Sequence, residues 1–147
     1  MYDDTHFMKE ALRMAQQAYD AGEVPVGAVV VWNNKIIGRG SNQVEQLSDS
    51  TAHAEMIAIT AACNQIGAKY LPEATLYVTV EPCLMCAGAI YWSKVGRIVF
   101  GASDPKNGYK RIAGNQNPFH PKASLSYGIM EQECAQLMKD FFAARRG

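Results

Sequence analysis

The chain has no net charge: 14 Lys and Arg balance 14 Asp and Glu over 147 residues. Such a balance argues against a generic nucleic-acid coat, which neutralises phosphates with a basic excess. Long apolar runs are also missing. None approaches the ~20 residues that cross a bilayer, so no membrane partner is expected. The opening residues, Met1-Tyr2-Asp3-Asp4, are acidic where a secretory leader is basic and then apolar, and a cytoplasmic location is the expectation. Cysteine is scarce, at four residues, and a chain that is 48% apolar needs no disulfides to hold its core. Reduced thiols are expected. With no internal repeat and no low-complexity linker, residues 1–147 read as a single domain.

The charge that is present is unevenly placed. Up to Ala74 acids outnumber bases, whereas from Thr75 onward nine basic residues, among them Lys106, Lys139, Arg145 and Arg146, outnumber five acids. That polarity suits one face meeting phosphate, and equally an ordinary solvated surface.

Apolar positions at three- and four-residue spacing predict a helix from Thr5 to Ala21, with Asp4 or Thr5 as cap and Gly22 as stop. A β-branched run from Val26 to Trp32, a turn at Asn33-Asn34 and a return from Lys35 to Gly38 predict a hairpin. Residues 41–50 read as a polar turn region, after which Thr51 caps a helix carrying His53 and Glu55 in its first turn and ending at Gly67. Strands are expected at Thr75–Val80 and Arg97–Phe100, with a helix from Cys83 to about Ser93 between them and Pro82 suited to its start. Residues 101–122 form a loop longer than the usual connection. A last strand at 123–127 and a helix from Ile129 to Arg146 close the chain. Alternating strands and helices give a three-layer α/β/α arrangement around a mixed sheet of about five strands.

Two short motifs carry the chemistry: His53-Ala54-Glu55, and Pro82-Cys83-Leu84-Met85-Cys86. Cys83 and Cys86, one turn apart at a helix start, put both sulfurs on one side, near backbone N–H groups that favour thiolate. With His53 they make three zinc ligands, which leaves a fourth tetrahedral position for water. Glu55 projects about 200° around an ideal helix from His53 and is not assumed to be a ligand. Its expected work is proton transfer, which needs a dry pocket and a raised pKa. A structural zinc site would need a fourth ligand, for which Cys63, Cys134 and His120 are the candidates. Cys134, in an apolar-periodic helix, reads better as a buried free thiol.

Those motifs, together with Glu23-Val24-Pro25-Val26-Gly27-Ala28, Leu76-Tyr77-Val78-Thr79-Val80-Glu81, Val99-Phe100-Gly101-Ala102 and the closing Asp140-Phe141-Phe142-Ala143-Ala144-Arg145-Arg146, resemble the bacterial tRNA adenosine deaminases. The likeness covers nearly the whole chain. It implies the cytidine-deaminase-like fold, a homodimer with one zinc per subunit, and conversion of the wobble adenosine of an arginine tRNA to inosine. It further implies zinc on His53, Cys83 and Cys86, with Glu55 as proton shuttle. Asn42 and the Ala54 backbone match contacts to the purine, and Val26 and the Glu81-Pro82 turn match pocket wall. Asp104 and Lys106 match positions near the RNA backbone, while Phe142, Arg145 and Arg146 match the anticodon-loop surface. After Lys106 the chain departs from the family's small-residue segment, so contacts from residues 107–122 do not carry over.

Each of these positions also has a plainer reading. Asn42 suits a turn and Asp104 an Asx-turn. Leu137, Met138, Phe141 and Phe142 lie at core spacing on one helix. Two other functions fit the same chemistry: deamination of a free base such as guanine or cytosine, and a non-catalytic zinc module.

Overall fold

A computed structural model describes residues 1–146. Helix α1 (Asp4–Asp20) starts one residue before the expected Thr5, because Asp3 is the cap: its carboxylate accepts the His6 N–H at 2.9 Å. Strand β1 (Gly27–Trp32) turns into β2 (Lys35–Ser41) through Asn33 and Asn34, whose φ angles of +54° and +59° make the tight hairpin turn that asparagine tolerates.

Strand β2 runs three residues beyond the expected Gly38, and its glycines explain why. A Cβ on Gly38 would lie 2.3 Å from the Ala58 carbonyl oxygen, and one on Gly40 would lie 2.2 Å from that of Ala54. These glycines let helix α3 (Ala54–Ile66) press onto the strand; they do not end it. Before α3, the region expected to be only turns contains one short helix, α2 (Val44–Leu47).

Strand β3 (Thr75–Val80) falls where the alternation placed it. Helix α4 (Leu84–Ser93) has Cys83 as its N-cap residue, and β4 (Arg97–Ala102) extends two residues past Phe100. The long loop holds α5 (Lys110–Ala113) before β5 (Ser124–Tyr127). Gly128, at φ +90°, turns the chain into α6 (Glu131–Arg146), two residues later than expected.

The five strands form one mixed sheet in the order β2-β1-β3-β4-β5. β1 is antiparallel to β2 and β3, whereas β3, β4 and β5 are parallel. Alternation along the strands divides the core into two layers. Val30, Leu76, Val78, Ile98 and Phe100 face Ala58 and Ala62 of α3 and Ile90 of α4. Val29, Val31, Tyr77 and Val99 face Phe7, Met8 and Ala11 of α1 and Cys134 of α6. The expected three-layer α/β/α fold is therefore present. Gly101 makes the last contact close, since a Cβ there would meet Cys134 Sγ at 2.5 Å.

The ends of four strands converge on one edge. β3 and β4 finish there, β2 delivers Asn42, and β1 begins after Val26. Parallel strand ends of this kind are where open α/β sheets place their ligands.

Candidate active site and metal centre

His53 precedes α3 as its N-cap residue, in extended backbone, and makes no capping bond itself. Thr51, the expected cap, is likewise not used. The Ala54 N–H is taken instead by Asn42 Oδ1, at 2.8 Å. That frees the imidazole to face α4. His53 Nδ1 lies 3.6 Å from Cys83 Sγ and 3.5 Å from Cys86 Sγ. The three donor atoms all lie within 4.8 Å of one another.

The donor set fits zinc. At ordinary zinc bond lengths to sulfur and nitrogen, a tetrahedron places N and S about 3.6 Å apart, which is the spacing found here. Two sulfurs and one nitrogen are a soft set of the kind that selects zinc over magnesium or calcium. Among the described residues no fourth donor joins them. Cys134 is buried in the sheet–α6 layer, and His120 Nδ1 accepts the Lys122 N–H. All four cysteines are free thiols.

Electrostatics at the cluster favour a cation. The Cys83 thiol is lowered to about 4, first by its hydrogen bond with Cys86 and then by His53, against the opposing effect of burial. Cys86 moves upward, chiefly through the same bond to Cys83 and then through burial. The two thiols thus shift in opposite directions, and the lowered one is the better metal ligand because a metal takes the thiolate form. His53 is raised, first by its contact with Cys83.

Glu55 follows in the first turn of α3, and is 3% exposed. Its Oε1 is buried without any hydrogen-bond partner. Desolvation, reinforced by the negative charge of Cys83, pushes its carboxyl up to about 7. Glu55 is not one of the clustered donors, yet it lines the same cavity as His53 and Cys83.

That cavity has a volume of about 560 Å³, and Val26, Asn42, Asp104, Phe142 and Arg145 also line it. Lys106 lies instead on an adjoining cavity of about 610 Å³, whose wall includes Lys139, Arg145 and Arg146. Asp104, Phe142 and Arg145 belong to both. Ala54 and Pro82 line neither: the Ala54 N–H is spent on Asn42, and the Pro82 carbonyl accepts the Tyr109 N–H at 2.8 Å. Asn42 keeps its amide nitrogen as its remaining polar group.

Asp104 does form an Asx-turn, its Oδ1 accepting the N–H groups of Lys106 and Asn107. Phe141 is buried while Phe142 is exposed, and both rings line the cavity. Arg145 donates to the Gly22 carbonyl at 2.6 Å and lies over the Phe141 ring. Two buried acids in the cavity wall, Glu23 and Glu81, carry bonds that the sequence did not single out. Glu81 does line the cavity, as the resemblance implied for its turn, but nothing in the linear sequence signalled these bonds.

An α/β/α sheet that brings a His and two Cys beside a buried, unpaired acid defines a class, the zinc-dependent deaminases of amino-bearing rings. The family described as the cytidine and deoxycytidylate deaminase zinc-binding region matches residues 1–102. The chain belongs to that family. It is 45% identical to the tRNA-specific adenosine deaminase of Bacillus subtilis, over 99% of this chain and 92% of that protein. A solved structure from work on A-to-I editing by tRNA:A34 deaminases superposes with a TM-score of 0.83 at 42% identity, over 90% of this chain and 99% of that one. The guanine deaminase of Bacillus subtilis superposes with a TM-score of 0.68 at 37% identity, over 79% of this chain and 73% of that one.

Proposed function

We propose that this protein converts adenosine to inosine at the wobble position of a tRNA anticodon, by zinc-dependent hydrolysis. The observation that carries the reading is the pair of adjoining cavities. One lies over the metal ligands and has room for a base, while the other is lined by Lys106, Lys139, Arg145 and Arg146, a set of cations suited to flanking phosphates. A free base needs only the first. The names of the Bacillus subtilis relative and of the A34-editing structure point the same way.

Bound zinc acts as a Lewis acid that makes water nucleophilic near neutral pH. The chain's own residues do the rest. Glu55 Oε1 takes a proton from the attacking water and delivers it to N1 of the purine. The same carboxylate then takes the proton of the new hydroxyl on C6 and gives it to the departing amino group as the C–N bond breaks, so that adenosine and water give inosine and ammonia. A carboxyl pushed up to about 7 exchanges protons in both directions near neutrality. Asn42 and Val26 orient the ring, which must leave the base stack because its reacting carbon is shielded there. Asp104, Lys106, Phe142 and Arg145 hold the neighbouring nucleotides.

The substrate in this reading is an arginine tRNA, the working form is a homodimer built from one domain per chain, and the compartment is the cytoplasm. Support for a dimer comes from the outer face of α4, where Leu84, Met85 and Trp92 are exposed together. Free thiols suit a reducing compartment. No helix among the described residues is long and apolar enough to cross a membrane.

A second reading, deamination of free guanine, is favoured by the likeness to the guanine deaminase. Zinc-loaded protein incubated with an arginine tRNA anticodon stem-loop, free guanine and free cytosine separates the two. Inosine in the stem-loop is expected, with loss of the signal as salt rises. Ammonia from guanine with inert RNA would overturn the proposal.

A further inference from the structure

Glu81 is a buried carboxylate with no cation beside it. It is 5% exposed, and no ion pair among the described residues includes it. Removing a carboxylate from water is unfavourable unless hydrogen bonds offset the loss. Two backbone groups supply them: Asp104 N–H donates to Oε1 and Lys110 N–H to Oε2, both at 3.1 Å.

Those donors stand at the two ends of one loop. Inside it, the Asp104 side chain accepts from Lys106 and Asn107, and the Asp104 carbonyl accepts the Gly108 N–H at 2.8 Å. The loop is thus a closed turn whose ends both hang on one side chain. Gly108 lies against that carboxylate, where a Cβ would come 2.2 Å from Oε2. Its φ is not positive, so the glycine is needed for space and not for its dihedral freedom. On the other side, Glu81 N–H donates to the Ala102 carbonyl and Pro82 accepts from Tyr109, each at 2.8 Å. The next residue is the ligand Cys83.

We propose that Glu81 is a positioning residue: its carboxylate sets the Asp104–Lys110 loop relative to Cys83, so that the metal centre and the cavity wall formed by Asp104 and Asn107 keep one register. An apolar side chain would leave two N–H groups without acceptors, and a shorter acid would not reach both. The opposite wall uses the same device, with buried Glu23 accepting from Glu45 and Gln46 at 3.0 and 2.8 Å to hold α2.

Amide hydrogen exchange on zinc-loaded Glu81→Gln, Glu81→Ala and Gly108→Ala tests the clamp directly. Exchange at the Asp104 and Lys110 amides is expected to rise about tenfold in Glu81→Ala and Gly108→Ala, and at one of the two in Glu81→Gln, with β3 and β4 protection and zinc content unchanged. The kinetic arm rests on the RNA-deaminase reading. There, KM for the stem-loop is expected to rise while kcat holds, with Glu81→Gln, which keeps one acceptor oxygen, between wild type and Glu81→Ala. Unchanged exchange at both amides overturns the clamp. A fall in kcat at constant KM, a loss of zinc, or a lower melting temperature alone overturns the positioning role. If wild-type protein leaves RNA unreacted, the functional reading fails on that control, while the exchange result still decides the clamp.

Discussion

Asn42 Oδ1 accepts the Ala54 N–H at 2.8 Å, so helix α3 is capped by a residue twelve positions upstream, beyond the end of β2. A cap borrowed from another element leaves His53 free to face Cys83 and Cys86. Asn42→Ala is expected to lower stability by about 1 kcal/mol in urea unfolding, the usual loss for an N-cap. Asn42→Asp keeps the acceptor and should regain that stability, yet it has no amide N–H to offer substrate. Its KM should therefore stay high. Equal KM for Asn42→Asp and wild type would remove Asn42 from substrate recognition.

Glu55 carries no structural bond at Oε1 and sits beside the ligands. Glu55→Gln should retain one zinc per chain, lose turnover by about 10²-fold or more, and unfold at the same or a higher temperature, because a neutral amide is easier to bury. His53→Ala and Cys86→Ser should lose zinc instead. Metal analysis beside single-turnover rates distinguishes these outcomes.

Asp4 receives both guanidinium nitrogens of Arg97 at 2.7 Å and the Tyr77 hydroxyl at 2.6 Å. The Arg97 hydrogen bonds hold its carboxyl below the ordinary carboxylate value, with Tyr77 adding to them and burial opposing. A depressed acid stabilises the fold above its ordinary pKa, and that stability is lost as pH falls through the folded value. The pair is partly exposed, so its worth is only about 1 kcal/mol. Asp4→Asn should remove that increment at pH 7 and leave a flatter stability profile toward about pH 3, read by urea unfolding across pH.

Trp92 is 71% exposed on the outer face of α4. A large aromatic placed in this way loses its burial when charge is introduced beside a partner. Trp92→Glu should shift sedimentation from dimer toward monomer without changing the zinc content. A wild-type protein that sediments as a monomer would remove the dimer from the proposal.

Regular periodicity made much of the fold legible. Thr75–Val80 alternates and forms β3 over those same residues, and the Asn33-Asn34 pair makes the turn it signals. The glycines misled. Gly38 reads as a strand stop, yet it allows β2 to continue beneath α3, because a missing Cβ is informative only once the neighbouring backbone is known. Short helices such as α2 were hidden for a related reason. Glu23, 22 and 23 residues upstream of the groups it binds, holds it by direct hydrogen bonds, and four residues leave no periodic trace.

The metal ligands were legible because zinc demands particular atoms at particular spacings, and few other roles ask for His-x-Glu and Cys-x-x-Cys together. Chemistry at that level is local and is written in residue identity. Tertiary structure alone decided which neighbours face the cavity. It set Phe142 outward and Phe141 inward, enclosed Ala54 and Pro82, and hung the Asp104–Lys110 loop on Glu81. Orientation and burial depend on what packs opposite, and a linear pattern does not carry that.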